Sequence, residues 1–120
     1  MILQKKMDAF RYTFSGLKIA WMEEHNFRFQ VAWGILTLAL AWFFKISPTE
    51  FLIVLTMIGF VLATETLNTA LEELCDKFQP THDPHIGKIK DLAAAAVFIA
   101  ALTAFTVGCI IFVPHFISLL

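Results

Sequence analysis

Glu65, Asn68, Glu72 and Asp76 recur at intervals of three and four residues. At 3.6 residues per turn, that spacing places all four on one narrow face of a helix. The run before them, Phe51 to Thr64, carries no charge and reads as the outer part of a membrane-crossing helix. Three carboxylates and a carboxamide therefore begin at membrane depth, where ionisable groups are costly and mark function by default. Carboxylates without thiolates or paired imidazoles suit a hard cation such as Mg²⁺. Lys90 and Asp91 stand where another helix begins, so a phosphate there would meet a lysine and free backbone N–H groups. A carboxylate left at membrane depth, Glu65, could take a proton from a hydroxyl arriving through the lipid. Together these groups point to phosphoryl transfer from a nucleotide to a lipid alcohol, a reaction that needs mainly positioning and charge neutralisation. The competing reading is a buried polar network that only holds helices together.

The elements that must position these groups are membrane helices. The chain has 120 residues, of which 58% are hydrophobic and 16% charged, with 13 phenylalanines and a mean hydropathy of +0.72. A water-soluble domain of this size has too little interior for so much apolar surface. A net charge of −1 and the lack of a basic patch interleaved with aromatics argue against nucleic acid. After Lys5 and Lys6 the sequence alternates polar and apolar residues, with no apolar core of a signal peptide. Cys75 and Cys109 read as small packing residues rather than a disulfide.

The expected architecture is all-α and integral to the membrane, with one surface helix and three spans. Met7, Phe10, Phe14, Leu17 and Trp21 form one apolar stripe within residues 4–25, flanked by Lys5, Arg11 and Lys18. Such a helix lies in the membrane interface. The spans are expected at 27–45, 51–75 and 87–113. Ser47 followed by Pro48 predicts a helix start, and Pro114 is expected to end the last span. Ala93 to Ala96 permits close helix approach. Residues 79–85 read as a loop with solvated His82 and His85. Lys and Arg number five in the N-terminal segment (Lys5, Lys6, Arg11, Lys18 and Arg28, the last at the start of the first span), one in the 45–50 turn (Lys45) and three after the second span (Lys77, Lys88, Lys90). The positive-inside bias then places the N-terminus and the acidic stripe on the cytoplasmic side of the membrane. Arg28 and Gln30 are polar groups at the start of the first span, and Asp76 is expected to cap or pair in the loop.

The motif Glu65-x-x-Asn68-Thr-Ala-x-Glu72, with Asp76 and then Lys90-Asp91-x-Ala93-Ala-Ala-Ala-Val97, resembles the small prokaryotic diacylglycerol kinase and undecaprenol kinase family. Ser15-Gly16-Leu17-Lys18 with Trp21, and Glu24-x-Asn26-Phe27-Arg28, carry the same resemblance. It implies a homotrimeric helical bundle in the bacterial cell membrane, using MgATP, with sites shared between subunits. It implies Glu65 as the base for the lipid hydroxyl and Glu24 and Glu72 as Mg²⁺ ligands. It likewise implies Lys90 as the charge that neutralises the transferring phosphate, Asp91 beside it, and Asn68 as a catalytic polar residue. Tyr12, and Lys5 in place of an arginine found in some members, would meet the nucleotide. His82 and Asp83 fall where the family's loop passes the adenosine, though the residue types differ, and Ala94 replaces a serine of some members. Phe10, Phe14, Gly16 and Trp21 lie along the helix where the lipid would pass on its way to Glu65. The Glu24-to-Arg28 segment, the Pro84-His85 loop and the ending Ile110 to Pro114 look more like the undecaprenol group, with diacylglycerol as the alternative substrate. A different class of function is a non-catalytic oligomeric scaffold or an ion pore, which would spread the acids through the membrane depth rather than gather them at one end. A metal-binding regulator without turnover would leave Lys90-Asp91 without a purpose.

Overall fold

The structure is a computed structural model that describes residues 1–78 and 83–120. It consists of four helices: α1 (Ile2–Glu23), α2 (His25–Phe44), α3 (Pro48–Phe78) and α4 (Pro84–Ile117). The described residues contain no strand. Helices α2, α3 and α4 are each long and apolar enough to cross a membrane. With 31 and 34 residues, α3 and α4 reach about 45–50 Å at 1.5 Å per residue, well beyond the roughly 30 Å hydrocarbon core. Each therefore exceeds the apolar layer, and most of their charged residues lie toward the Phe78 end of α3 and the Pro84 end of α4. Most large apolar side chains, including Phe29, Trp33, Phe98 and Phe105, are exposed on the single chain. Such a surface is tolerated by lipid or by neighbouring helices, not by water.

Local chemistry explains the helix ends. The Glu50 N–H donates to Ser47 Oγ at 3.1 Å and the Ser47 N–H donates to Glu50 Oε1 at 3.0 Å. This reciprocal capping box, with Pro48 at the first helical position, starts α3. Ser47→Ala should lower stability by about 1 kcal/mol, read as an earlier unfolding transition in detergent. At the end of α2, Lys45 takes the left-handed conformation with φ 52°. Its N–H donates to Trp42 O at 3.3 Å and the Ile46 N–H donates to Ala41 O at 3.2 Å, a Schellman closure.

Three local features differ from the expectations. Pro114 does not end the last span, since α4 continues to Ile117. The ring removes one backbone donor but leaves a helical φ, and Ser118 N–H closes the final turn onto Pro114 O at 3.1 Å. Helix α4 also begins earlier than expected, at Pro84, because Asp83 Oδ1 accepts the His85 N–H at 2.8 Å as an N-cap. Glu24, expected within the first helix, instead interrupts it with φ −111° and ψ 106°. Arg28 stabilises that break. Its Nη1 donates to Trp21 O at 2.6 Å and to Met22 O at 3.3 Å, satisfying carbonyls that the end of α1 leaves free.

Small residues set the packing of the spans. Helices α2 and α3 are antiparallel neighbours. A Cβ on Gly34 would come within 3.1 Å of Ile58 Cγ2, so the two backbones approach closely there. Near the connecting turn, Ala41, Val54, Ile111 and Phe112 form the buried core, with Leu38, Phe44, Ile58 and Val107 packed around it. Helix α4 turns one stripe inward, with Ala93, Ala100 and Ile111 buried. Ala100 is fully buried. Ala100→Leu should overpack this contact and destabilise by about 1–3 kcal/mol, measurable as faster thermal inactivation. The α3–α4 pair is clasped at both ends: Glu50 Oε2 lies 3.6 Å from His115 Nε2 at one, and Lys90 pairs with Asp76 at the other.

Candidate active site

Helix α3 carries the acidic stripe from the buried interior out to an exposed end. Glu65 is 2% exposed and Asn68 9%, and they are the only buried polar residues among those described. Glu72 is half-buried and Asp76 exposed. Accessibility therefore increases along one helical face that is polar throughout. Asn68 Nδ2 donates to Glu72 Oε1 at 3.3 Å, while Asn68 Oδ1 is buried without a partner. From α2, the Gln30 carboxamide approaches the Glu65 carboxylate, and its Oε1 is likewise buried and unpartnered. Glu24, at the break between α1 and α2, and Glu72 both lie near enough for their charges to act on Glu65.

Helix α4 brings Lys90 to the exposed end of this stripe. Its Nζ donates to Asp76 Oδ1, and it lies within the field of Glu72 and beside Cys75. Asp91, one residue on, is exposed. It lines a separate open crevice of about 670 Å³ with Pro84, Gly87, Lys88, Leu92 and Ala95. Within one chain, then, Glu65, Asn68 and Glu72 share one face of α3, with Glu24 in range of Glu65 and Lys90 in range of Glu72. Lys5, Phe10, Tyr12, Phe14, Gly16 and Trp21 lie exposed on α1, which packs against α2. Asp83 is occupied as the cap of α4. His82 lies outside the described residues.

The pattern that defines the prokaryotic diacylglycerol kinases matches residues 11–112. The chain belongs to that family. It is 29% identical over 105 residues to the diacylglycerol kinase of Escherichia coli (strain K12), covering 88% of this chain and 86% of that protein. It is 34% identical over 91 residues to the undecaprenol kinase of Bacillus subtilis (strain 168), covering 76% and 74%. A diacylglycerol kinase of Synechocystis is 31% identical over 113 residues, 93% of this chain and 65% of that protein. The chain is thus a membrane lipid kinase of the prokaryotic diacylglycerol kinase family.

For a lipid kinase, the order of groups along α3 is chemically ordered too. A dry carboxylate suits a hydroxyl that arrives through lipid. A half-buried carboxylate and a lysine at the water side suit a polyphosphate. The donor set also fits Mg²⁺ in a particular way. Among the described residues no three acidic, His or Cys side chains gather closely enough to hold an ion by themselves. Mg²⁺ ordinarily takes one or two carboxylates and fills its octahedron with phosphate oxygens and water. Glu72, with its accessible oxygen donors at the end of the stripe, fits that partial role.

Two residues of this neighbourhood have partners that helical spacing alone does not reveal. Asp76, expected to cap or pair in the loop, does pair, and its partner is Lys90 on α4. The signal for it is that Asp76 and Lys90 flank one hairpin connection in an antiparallel pair. In the sequence Gln30 is simply a polar group at the start of a span. Its signal is its position on the stripe of Phe27, Gly34 and Ala41, the buried face of α2.

Proposed function

We propose that this protein transfers the γ-phosphate of MgATP to the hydroxyl of a membrane lipid alcohol, with undecaprenol favoured over diacylglycerol. The observation that carries the reading is Glu65: a carboxylate almost wholly removed from water, on the same helical face as Glu72, whose charge acts on both Glu65 and Lys90. Glu65 takes the hydroxyl proton while the oxygen attacks the γ-phosphorus, and the bond from that phosphorus to the bridging oxygen of ADP breaks. ADP leaves with the negative charge, and the products are a lipid phosphate and a protonated Glu65 that returns its proton to water. Lys90 offsets charge on the phosphate oxygens as they separate. Mg²⁺, bound by Glu24 and Glu72 together with the nucleotide, would supply charge neutralisation and orientation. Asn68 holds Glu72, and Asp91, Lys5 and Tyr12 complete the nucleotide side. Phe10, Phe14, Gly16 and Trp21 guide the lipid along α1, which lies as an amphipathic helix in the cytoplasmic interface. A homotrimer closes the site between neighbouring chains.

The undecaprenol preference is supported by the resemblance of the Glu24-to-Arg28 segment and the Ile110-to-Pro114 ending, and by the Bacillus relative. The Escherichia relative supports the diacylglycerol alternative. Purified protein should be assayed with MgATP and each lipid at equal mole fraction in the same mixed micelles. A higher kcat/KM for the prenol supports the reading, and a higher value for diacylglycerol reverses the preference. Phosphorylation of neither removes the kinase assignment. In the same assay, Glu72→Ala should raise the Mg²⁺ concentration for half-maximal rate by at least about tenfold, since hard-cation affinity follows ligand charge. An unchanged Mg²⁺ dependence takes Glu72 out of the ligand set.

A further inference from the structure

Gln30 shares the face of α2 that packs on α3, a face otherwise built from Phe27, Gly34 and Ala41. A carboxamide on such a face destabilises the packing unless its groups are partnered. The register of the antiparallel pair says what it meets. Ala41 and Val54 share the core near the connecting turn, and Gly34 abuts Ile58 one to two turns further along. Continuing along the pair sets Gln30 level with Glu65, and the side chains do approach each other there. An ionised carboxylate only accepts hydrogen bonds, so the NH₂ group of the amide is the one that would serve Glu65. Its Oε1 is then turned away, and it is buried without a partner. Asn68 repeats the arrangement one turn on, with Nδ2 on Glu72 and Oδ1 unpartnered. Each of the two inner carboxylates thus has its own carboxamide.

We propose that Gln30 is a positioning residue for phosphoryl transfer, its carboxamide holding the Glu65 carboxylate in the orientation from which it takes the lipid hydroxyl's proton. The inference rests on the reading of Glu65 as the base. A glutamate side chain has several rotamers, and one misplaced by about 1 Å forfeits much of the advantage of a prearranged reaction geometry. A neutral donor achieves the restraint without an ion pair that would reduce the carboxylate's basicity. Lysine or arginine at position 30 would not combine these properties. The donor comes from α2 and the acceptor from α3, so the base is set only when the two spans are packed.

The test compares Gln30→Met, which keeps length but loses the donor, with Gln30→His, which keeps an N–H of similar reach, in the full chain. Gln30→Met should lower kcat at saturating lipid by about tenfold while KM for MgATP stays within about twofold, since orientation rather than nucleotide binding is lost. Gln30→His should restore a substantial part of kcat, and both variants should unfold near the wild-type temperature. Glu65→Gln is measured in parallel. If Glu65→Gln is inactive and Gln30→Met keeps full kcat, the positioning role is overturned while the base assignment stands. If Glu65→Gln keeps full turnover, the base assignment fails and the role of Gln30 fails with it. Equal losses of kcat in both Gln30 variants, with matching losses of thermal stability, overturn the proposal in favour of simple packing.

Discussion

Replacing Glu65 with glutamine is expected to cost about 10²–10⁴-fold in kcat, the usual contribution of a positioned base, while leaving a folded protein. Glutamine is nearly the same size and cannot take the hydroxyl proton at neutral pH. The fold should survive because the substitution removes a charge from a site 2% exposed to solvent, rather than leaving one unpaired. The Gln30 carboxamide can still bond the new side chain through its oxygen. Helical content and unfolding temperature should therefore match or exceed the parent while turnover is lost. Separating the two readouts matters, because a structural network residue would show the reverse pattern: reduced stability with activity falling in proportion. Turnover above about half of the parent would show that proton removal is not part of the rate-limiting barrier, or that another group performs it.

The second large effect is expected at Lys90. Lys90→Met should lower kcat by about 10²–10³-fold, the scale for removing one preorganised charge from a transition state that gathers negative charge. Lys90→Arg should recover part of this, since the charge is kept and only its reach changes. The Asp76 contact sharpens the expectation. Both partners are substantially solvent-exposed, so the pair itself contributes little to stability. Asp76→Asn should accordingly leave the unfolding temperature almost unchanged. Its kinetic effect should stay below about tenfold, because an exposed pair is worth under about 1 kcal/mol. If Lys90→Met and Asp76→Asn prove equally damaging to kcat, Lys90 acts as half of a structural clasp between α3 and α4 rather than at the phosphate.

The two substitutions also probe the buried end of the α3 stripe and the exposed end to which α4 brings Lys90. Glu65 sits where the surroundings are apolar and Lys90 where water reaches. Raising ionic strength should weaken the contribution of Lys90 far more than that of Glu65, since exposed charges are screened and buried ones much less so.

Much of this arrangement is periodic and therefore visible in one dimension. The three apolar helices follow from long, mainly apolar runs, of which only Leu92 to Val113 is free of charge over a full span. The stripe of Glu65, Asn68, Glu72 and Asp76 follows from intervals of three and four. The start of α3 follows from Ser47 and Pro48, because a capping box involves only residues three apart. These features depend on backbone geometry within one helix, which neighbouring residues dictate. Where local rules misled, the competing term was also local. Asp83 captured the α4 start, and Pro114 at helical φ let the helix run one turn more.

What tertiary structure alone decided is the pairing between helices. The sequence shows Gln30 as one polar residue near the start of a span. Its apposition to Glu65 depends on the register of α2 against α3, which the close approach at Gly34 and Ile58 sets. Asp76 meets Lys90 because α3 and α4 pack antiparallel with a matching register. Glu24 reaches the Glu65 neighbourhood because the chain breaks there and Arg28 ties down the end of α1. Helical periodicity tells which residues share a face, and that much the chain determines by itself. Which two faces meet, and at what height, is a packing decision among side chains far apart in sequence, made by volume and close approach.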